Sequence, residues 1–333
     1  MGLPIVAVVM AGGTGTRLYP ASREGRPKQF RSFGGDRSLL SRTVERCSFA
    51  DEVLVSTAEH LVDGVSAHAP DADVLVEPAA KDTGPALAYA TFWCRELLGE
   101  CVVLAVPSDH VVGDGFEETA RTAVEVAAET DSLVTIGIDP DRPATEYGYI
   151  EPGEKHDRYY EVDQFREKPD PDTAADLVKE GSYWNAGMFA WRADVFLDAV
   201  RESQLAPLVD ALEADDPIRG FRAVESVSVD YAVMERAESV SVVPAPFDWD
   251  DVGSWDALSR VLGTDEDGNT ILGDVLAVDA TSNVVASEDH HVSVVGVDDL
   301  VVAAFDDRVL VVPKDDAQRV RDVVARLREE GQF

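Results

Sequence analysis

The sequence of 333 residues predicts an α/β fold in which helices cover a mostly parallel sheet, followed by a small β-rich unit. Short β-branched runs alternate with amphipathic stretches over the first 140 residues, which is the rhythm of βαβ units. A glycine-rich loop follows the first apolar run directly. Near residue 263 the pattern changes to closely spaced valine-rich runs, which favours a second unit built from short strands.

Apolar runs predict the strands of the first unit, and apolar residues at helical spacing predict its helices. Strands are predicted at residues 5–10, 53–56, 74–76, 101–106 and 133–138. Helices are predicted at residues 38–47, 83–98, 115–129, 170–180 and 194–202. Between them, the aromatic-rich alternation of residues 146–168 predicts hairpin strands.

Residues 263–269, GTDEDGN, interrupt every periodicity, and we place a domain boundary there. The prediction is a larger unit at residues 1–262 and a smaller unit at residues 270–333 that ends in a helix near 315–330. Two domains agree with the length, since a domain averages about 150 residues. The smaller unit carries few residues of a catalytic type.

The composition is strongly acidic, with 64 Asp and Glu against 29 Lys and Arg and a formal net charge of −35. Nucleic acids and anionic membranes bind basic surfaces, so we expect neither as a partner. Only 6 of the 29 basic residues are lysines. Lysine depletion with this acidity suggests adaptation to a highly saline cytoplasm, where salt screens carboxylate repulsion.

The longest unbroken apolar run, residues 5–11, is well short of the ~20 residues that a membrane helix requires. The N-terminus has no basic flank, so we expect no secretory leader. The three cysteines are an odd number in no CxxC spacing, which fits a reducing compartment and argues against structural zinc. The expected location is the cytoplasm.

The strongest chemical signal is the glycine loop at residues 11–18, AGGTGTRL, with PKQF at residues 27–30. Glycines after a parallel strand let backbone N–H groups approach a phosphate chain. A dinucleotide fingerprint needs a third glycine where Leu18 stands, and a P-loop needs a Gly-Lys-Ser/Thr end that is absent. In place of those two motifs, the loop has Arg17 and Lys28, two cations able to flank a triphosphate. The alternative interpretation is a glycine turn beside two solvated cations.

The second signal is PSDH at residues 107–110, which ends a buried strand. A carboxylate at this position, Asp109, can hold Mg²⁺ at the ligand crevice, and a helix N-cap is the alternative. Residues 247–255 offer a second carboxylate source that includes Asp251. A surface acidic cluster is the alternative there, and the two tryptophans in the segment count against it.

These residues resemble the sugar nucleotidyltransferase family, and within it the mannose-1-phosphate guanylyltransferases. The resemblance covers residues 4–260 and rests on ordered blocks rather than on the opening loop alone. The blocks are GGTGTRL (12–18), SRE (22–24), PKQF (27–30), EP (77–78) with DTGPA (82–86), PSDH (107–110), YGYI (147–150), EKP (167–169), WNAGMF (184–189), SVDYAVME (228–235) and DVGSW (251–255).

The resemblance implies a nucleotide-diphospho-sugar transferase fold, which is Rossmann-like. Residues 273–314 resemble the short left-handed β-helix-like domain of compact family members, which implies a homodimer. One departure concerns Lys81 and Asp82, which stand where the family commonly has Arg and Asn. This leaves base or sugar contacts at that block open.

The resemblance also assigns roles to individual residues. Arg17 and Lys28 would hold the triphosphate and the pyrophosphate leaving group, and Lys168 would meet the sugar phosphate. Asp109 and Asp251 would bind the catalytic Mg²⁺. Nucleotide binding is assigned to Gly12, Gly13, Thr14, Gly15, Thr16, Glu77, Thr83 and Ser108. Sugar binding is assigned to Tyr147, Gly148, Glu167, Asn185 and Asp230.

The implied activity is synthesis of GDP-mannose and pyrophosphate from GTP and mannose 1-phosphate. A phosphate nucleophile is already ionised at pH 7, so catalysis needs positioning and charge neutralisation rather than a general base. Two alternatives stay open: another nucleotide and sugar, such as UTP or dTTP with glucose 1-phosphate, and a non-catalytic regulatory subunit that binds GDP-mannose. A degenerate binder would be free to lose Arg17, Lys28, Asp109 or Asp251, and all four are present.

Overall fold

A nine-stranded mixed sheet forms the centre of the computed structural model, which describes residues 2–13 and 15–333. Its strands are β1 (Ile5–Met10), β2 (Glu52–Ala58), β3 (Asp73–Glu77), β4 (Val102–Pro107), β6 (Leu133–Ile138), β7 (Tyr149–Lys155), β8 (Tyr160–Arg166), β9 (Tyr183–Arg192) and β10 (Val240–Ala245). A short ribbon pairs β5 (Val111–Val112) with β11 (Trp249–Asp250). The order across the large sheet is β3-β2-β1-β4-β9-β6-β10-β8-β7.

Strands β1 to β4 are parallel neighbours, so their carboxyl ends meet at one edge of the sheet. Strand β9 lies antiparallel between β4 and β6, and β6 and β10 are again parallel. The hairpin predicted at residues 146–168 is confirmed as β7 and β8. The five predicted strands are present, whereas β9 and β10 were not predicted.

Ten helices accompany the sheet in the described residues: α1 (Leu39–Arg46), α2 (Val62–His68), α3 (Thr83–Leu98), α4 (Phe116–Thr130), α5 (Pro171–Lys179), α6 (Ala193–Arg201), α7 (Ala206–Glu213), α8 (Pro217–Ala223), α9 (Trp255–Leu262) and α10 (Val320–Glu329). Val8 and Val9 of β1 lie in different core clusters because successive strand residues face opposite sides of the sheet. Helices α1, α2, α4 and α5 contribute to one cluster, and α3, α6, α7 and α8 to the other. Among the described residues, no helix combines the length and apolar character that crossing a membrane demands.

Helix α3 matches the sequence prediction at both ends. It begins after Asp82, whose carboxylate accepts a hydrogen bond from the N–H of Thr83 at 2.7 Å. It ends before Gly99, whose φ of 73° suits glycine. Helix α2 and the short helices α7, α8 and α9 were not predicted.

The C-terminal residues form stacked parallel coils. Their strands are β12 (Thr270–Leu272), β13 (Val275–Val278), β14 (Val284–Ser287), β15 (Val292–Val295), β16 (Leu300–Phe305) and β17 (Arg308–Pro313). The pairs β12–β14, β14–β16 and β13–β15 are parallel, and β17 closes the stack antiparallel to β16. The prediction of an α/β fold with a small β-helix-like C-terminal unit is confirmed.

A third core cluster joins this C-terminal unit to the N-terminal loop. It contains Leu18 and Tyr19, Trp255 of α9, Val301 of β16 and Val324 of α10. The indole N–H of Trp255 also donates to the carbonyl of Tyr19 at 3.0 Å. The C-terminal unit therefore packs against the segment that carries the glycine loop.

Candidate active site

A cavity of about 540 Å³ opens at the carboxyl ends of the parallel strands, the edge where open α/β sheets bind ligands. The last residues of the four strands line it, namely Met10, Ala58, Glu77 and Pro107. Six residues predicted for the site also line it: Gly12, Gly13, Glu77, Thr83, Asp109 and Asp230. The sheet thus brings together residues that are more than two hundred positions apart.

The glycine loop follows β1 and leads into a 3-10 turn at Thr16–Leu18, and Thr14 lies outside the described residues. Gly15 has a φ of 57°, and a Cβ there would lie 2.6 Å from the Cβ of Lys28, so only glycine fits. The side-chain amide of Gln29 donates to the carbonyls of Ala11 and Gly13, both at 3.0 Å. These contacts bind the loop to the segment that carries Lys28.

Glu77 lies beneath the loop. A Cβ on Gly12 would lie 3.4 Å from the Glu77 Oε1, and the Ser56 hydroxyl donates to that oxygen at 2.9 Å. Burial raises the pKa of Glu77, and the Ser56 hydrogen bond opposes that rise only in part. On the opposite wall, the hydroxyl of Thr83 accepts the N–H of Val229 at 2.9 Å.

A cluster of charged side chains lies beside the cavity. Lys28 is only 4% exposed, and its ammonium is 2.9 Å from Asp109 Oδ2 and also donates to the main-chain carbonyl of Asp251. The guanidinium of Arg17 is 4.0 Å from Asp251 Oδ2, and the Tyr147 hydroxyl donates to Asp251 Oδ1 at 3.1 Å. Four residues predicted for phosphate and metal binding therefore meet at one place.

The charge state of this cluster follows from burial and pairing. Burial works to raise the pKa of Asp109, but the adjacent Lys28 ammonium outweighs it, so the pKa of Asp109 lies below its ordinary value. Burial first, and then the Asp251 carboxylate, raise the pKa of Tyr147, which keeps its hydroxyl protonated as a donor. Asp109 is therefore available as an anionic oxygen ligand, and Oδ1 of Asp251 accepts the hydrogen bond from Tyr147 beside it.

The donor set fits a Mg²⁺ ion that draws further ligands from a bound nucleotide. Within residues 2–13 and 15–333, no three His, Cys, Asp or Glu side chains cluster closely enough to hold a metal by themselves. Mg²⁺ in phosphate sites takes one or two carboxylates and completes its shell with phosphate oxygens and water. Asp109 and Asp251 supply that pattern, and Lys28 joins them by donating to the Asp109 carboxylate and to the main-chain carbonyl of Asp251.

A second group of predicted residues meets between β9 and the π-helical turn Asp230–Met234. The Asn185 amide donates to Asp230 Oδ1 at 2.6 Å, and Asn185 Oδ1 accepts the N–H of Gly187 at 3.0 Å. A Cβ on Gly148 would lie 2.6 Å from Glu167 Oε2 and 3.7 Å from the Cβ of Asn185. Burial raises the pKa of Asp230 to about 6.

Three predicted residues lie outside the Asn185–Asp230 group. Lys168 is paired with Glu167, its side chain is 63% exposed, and its φ of 44° is in the left-handed region. Ser108 is buried at the end of β4, where its N–H donates to the carbonyl of Met10. The ring of Tyr147 packs 5.0 Å from the rings of Trp184 and Trp249, and its hydroxyl contacts Asp251.

Sequence reasoning missed the residues that support the carboxylates. The indole N–H of Trp249 donates to His110 Nδ1 at 3.1 Å, which leaves the His110 proton on Nε2, 3.8 Å from Asp109 Oδ1. Asp250 accepts the N–H of Val252 at 2.7 Å and the Arg260 guanidinium at 2.6 Å. The spacing of aspartates in residues 247–255 does not reveal which one faces the site and which one supports it.

Two family models match the chain. The model described as nucleotidyl transferase matches residues 6–268, and the model described as the MannoseP isomerase/GMP-like beta-helix domain matches residues 273–327. The chain is 35% identical over 357 residues to mannose-1-phosphate guanylyltransferase RfbM of Salmonella typhimurium, covering 98% of this chain and 73% of that protein.

Two further relatives agree with these matches. Mannose-1-phosphate guanylyltransferase of Escherichia coli K12 is 37% identical over 353 residues, covering 97% of this chain and 73% of that protein. A crystal structure from Thermus thermophilus, described as a mannose-1-phosphate geranyltransferase, superimposes with a TM-score of 0.92 at 37% identity, covering 98% of this chain and all of that one. The resemblance seen in the sequence is confirmed, and the chain belongs to the nucleotidyl transferase family.

Proposed function

We propose that the chain transfers a guanylyl group from GTP to mannose 1-phosphate, forming GDP-mannose and pyrophosphate. The observation that carries the proposal is the meeting of Arg17, Lys28, Asp109 and Asp251 beside a cavity at the carboxyl edge of the sheet. Similarity over almost the whole chain to proteins named mannose-1-phosphate guanylyltransferase supports this choice of nucleotide and sugar.

The proposed reaction is one displacement at the α-phosphorus of GTP. A phosphate oxygen of mannose 1-phosphate forms the new P–O bond, and the bond from the α-phosphorus to the oxygen bridging the β-phosphorus breaks. The nucleophile is already an anion, so the protein has to align the reactants and neutralise charge. The ammonium of Lys28 and the guanidinium of Arg17 would bind the triphosphate and then stabilise the departing pyrophosphate.

Asp109 and Asp251 are the residues that we propose to hold Mg²⁺. Held by these two carboxylates, a magnesium ion would supply positive charge to the α-phosphate and help to orient the triphosphate. The chain's own contribution is to position both carboxylates, because Lys28 pairs with that of Asp109 and the Tyr147 hydroxyl donates to that of Asp251. In this arrangement Tyr147 acts by positioning Asp251.

The remaining predicted residues divide between the two substrates in our proposal. Loop residues Gly12, Gly13, Gly15 and Thr16, with Glu77, Thr83 and Ser108, would surround the nucleotide. The cluster of Gly148, Glu167, Asn185 and Asp230 offers hydrogen-bond acceptors and donors suited to sugar hydroxyls. Lys168, exposed beside Glu167, would reach the phosphate of mannose 1-phosphate.

We also propose the setting in which the protein works. Its charge of −35 and scarcity of lysine support a saline cytoplasm and argue against nucleic-acid or membrane partners. The three thiols are buried, and burial raises the pKa of Cys47 to about 12, so they suit a reducing compartment as inert packing residues. We further propose that residues 263–269 separate two domains and that the protein is a homodimer.

The test is product identification by mass spectrometry after incubating the purified chain with GTP, mannose 1-phosphate and Mg²⁺ in molar KCl. We expect GDP-mannose and pyrophosphate in equal amounts. The variant D109N should lower kcat/KM by at least about a hundredfold, since it removes the anionic partner of Lys28 from the reacting centre. The matched control D114N changes an exposed aspartate and should behave like the wild type. Absence of GDP-mannose from a folded wild type would contradict the proposal.

A further inference from the structure

The turn between β16 and β17 contacts a segment that lies some 280 positions earlier in the chain. Asp306 Oδ2 is 2.7 Å from the Arg23 guanidinium, and Asp306 Oδ1 accepts a hydrogen bond from Arg26. Asp307 pairs with the other terminal nitrogen of Arg23 at 2.9 Å. The β16–β17 hairpin thus places two carboxylates against residues 22–31, the segment that connects the glycine loop to Lys28.

Arg31 brings a third guanidinium to the same carboxylate. This side chain is only 9% exposed, and its Nε donates to the Ala21 carbonyl at 2.5 Å. It pairs with Glu288, its second terminal nitrogen is 3.8 Å from Asp306, and its guanidinium lies 5.6 Å from the Phe305 ring centre. A buried guanidinium without carboxylates is costly, so the C-terminal unit is what makes this position tenable.

The opposite side of residues 22–31 faces the active site. The hydroxyl of Ser22 donates to the carbonyl of Gly15, and Gln29 donates to the carbonyls of Ala11 and Gly13. Lys28 reaches Asp109 at 2.9 Å. The segment has little regular structure of its own, with one 3-10 turn at Lys28–Phe30, so contacts on its two sides determine its conformation.

We propose that Asp306 is a positioning residue for the phosphate-binding part of the active site. It acts through Arg23, Arg26 and Arg31 and holds residues 22–31 so that Lys28 and the glycine loop meet the triphosphate and pyrophosphate. The C-terminal unit therefore contributes to nucleotide binding without contacting the nucleotide. The inference rests on the proposed function for the identity of the phosphate ligand.

The test compares D306N with a matched control, D279N. Both aspartates belong to the C-terminal unit and have a positive φ, 51° for Asp306 and 49° for Asp279, a conformation that Asn also tolerates. Asp279 is exposed and has no ion pair among residues 2–13 and 15–333. The readouts are the Kd of pyrophosphate alone, the KM of each substrate and the midpoint of thermal unfolding, all in molar KCl.

We expect D306N to raise the Kd of pyrophosphate and the KM of GTP by about tenfold, which corresponds to 1.4 kcal/mol. The KM of mannose 1-phosphate and the unfolding midpoint should match those of D279N. The variant R23Q, which removes a guanidinium that pairs with both Asp306 and Asp307, should reproduce the shift and carries the test if D306N does not fold.

Equal pyrophosphate affinity in D306N, R23Q and D279N would overturn the inference. A rise in both KM values that follows a lower unfolding midpoint would also overturn it, because that result indicates general loosening. The proposed function fails separately: if the wild type makes no GDP-mannose while D306N still weakens pyrophosphate binding, the positioning role stands and the substrate assignment does not.

Discussion

Asp230 carries a carboxyl group whose ionisation the fold disfavours. Burial raises its pKa from 3.8 to about 6, although Asn185 donates a hydrogen bond to it at 2.6 Å. Between these two pKa values the folded state binds more protons than the unfolded state, so this group's contribution to stability falls as the pH rises from about 4 to 6. At pH 7 the buried carboxylate therefore destabilises the fold.

The variant D230N should remove this cost. We expect its free energy of unfolding at pH 7 to exceed that of the wild type by about 1–3 kcal/mol, and the gain to shrink as the pH is lowered towards 4. Urea unfolding at several pH values measures it, with the exposed D157N as control. The same variant should raise the KM of mannose 1-phosphate. A D230N protein that is less stable than the wild type at pH 7 would contradict this account.

Individual residues of the site were predictable where their chemistry is unusual for their surroundings. Lys28 is one of only six lysines, and Asp109 directly follows a buried strand, so both were identified from the sequence. His110 and Asp250 were not among the predicted site residues. The role of His110 depends on Trp249, which is distant in sequence, and the bond from Asp250 to Arg260 cannot be read from the spacing of the aspartates. The roles assigned to the predicted residues stay proposals.

The connection between β11 and α9 carries Asp251 and has a strained backbone at the next residue, Val252. Val252 has a φ of 43° and is fully buried, which is rare for a β-branched residue. Asp250 compensates by accepting the Val252 N–H at 2.7 Å, and Arg260 of α9 holds Asp250 in place at 2.6 Å. The helix therefore supports the orientation of the carboxylate that we propose as a metal ligand.

Removing this support with D250A should affect both stability and metal use. We expect a loss of about 1–3 kcal/mol in the free energy of unfolding, because a buried N–H and a guanidinium lose their acceptor. The Mg²⁺ concentration for half-maximal activity should rise several-fold. Urea unfolding and a magnesium titration measure the two effects, with D114A as the control on an exposed aspartate. An unchanged magnesium requirement would refute the supporting role of Asp250.

At the level of elements, prediction succeeded where the local signal was long and well bounded. Helix α3 has a capping aspartate, sixteen residues and a terminal glycine, and both its ends were predicted. Strand β9 was not predicted, because it contains Gly187, a residue that weakens strands, whose φ of 65° departs from extended backbone beside an irregularity in the pairing with β6. Helices α7 and α8, of eight and seven residues, were not identified because so few turns give a weak periodic signal, although the equally short α1 was predicted.

On the scale of the whole molecule, the net charge of −35 produces strong repulsion between carboxylates on the surface. The Debye length falls from about 10 Å at 0.1 M salt to about 3 Å at 1 M, so molar salt removes most repulsion between exposed carboxylates. We expect the midpoint of thermal unfolding to rise steadily with KCl concentration. At pH 5, nearer the pI of about 4.3, the rise should be smaller because fewer carboxylates are ionised. Full stability in dilute buffer at pH 7 would contradict the proposed saline adaptation.

The N-terminal and C-terminal units of the chain share a hydrophobic core and ion pairs. One core cluster contains residues of the glycine-loop segment, of α9 and of the C-terminal coils. The sequence suggested a C-terminal unit with little catalytic relevance, because it contains few residues of a catalytic type. The structure shows that this unit contacts the segment after the glycine loop, for example through the ion pair of Arg23 with Asp306. Local sequence patterns do not predict contacts between residues some 280 positions apart.

The central claim, guanylyl transfer to mannose 1-phosphate, is tested most directly by measuring kcat/KM for pyrophosphate release. The measurement pairs GTP, ATP, UTP and dTTP with mannose 1-phosphate and glucose 1-phosphate, in molar KCl with Mg²⁺. We predict that GTP with mannose 1-phosphate exceeds every other pair by at least about a hundredfold, since unmatched hydrogen-bonding groups in a site discriminate strongly. Faster turnover of another pair, or no turnover of any pair by the folded protein, would contradict the claim.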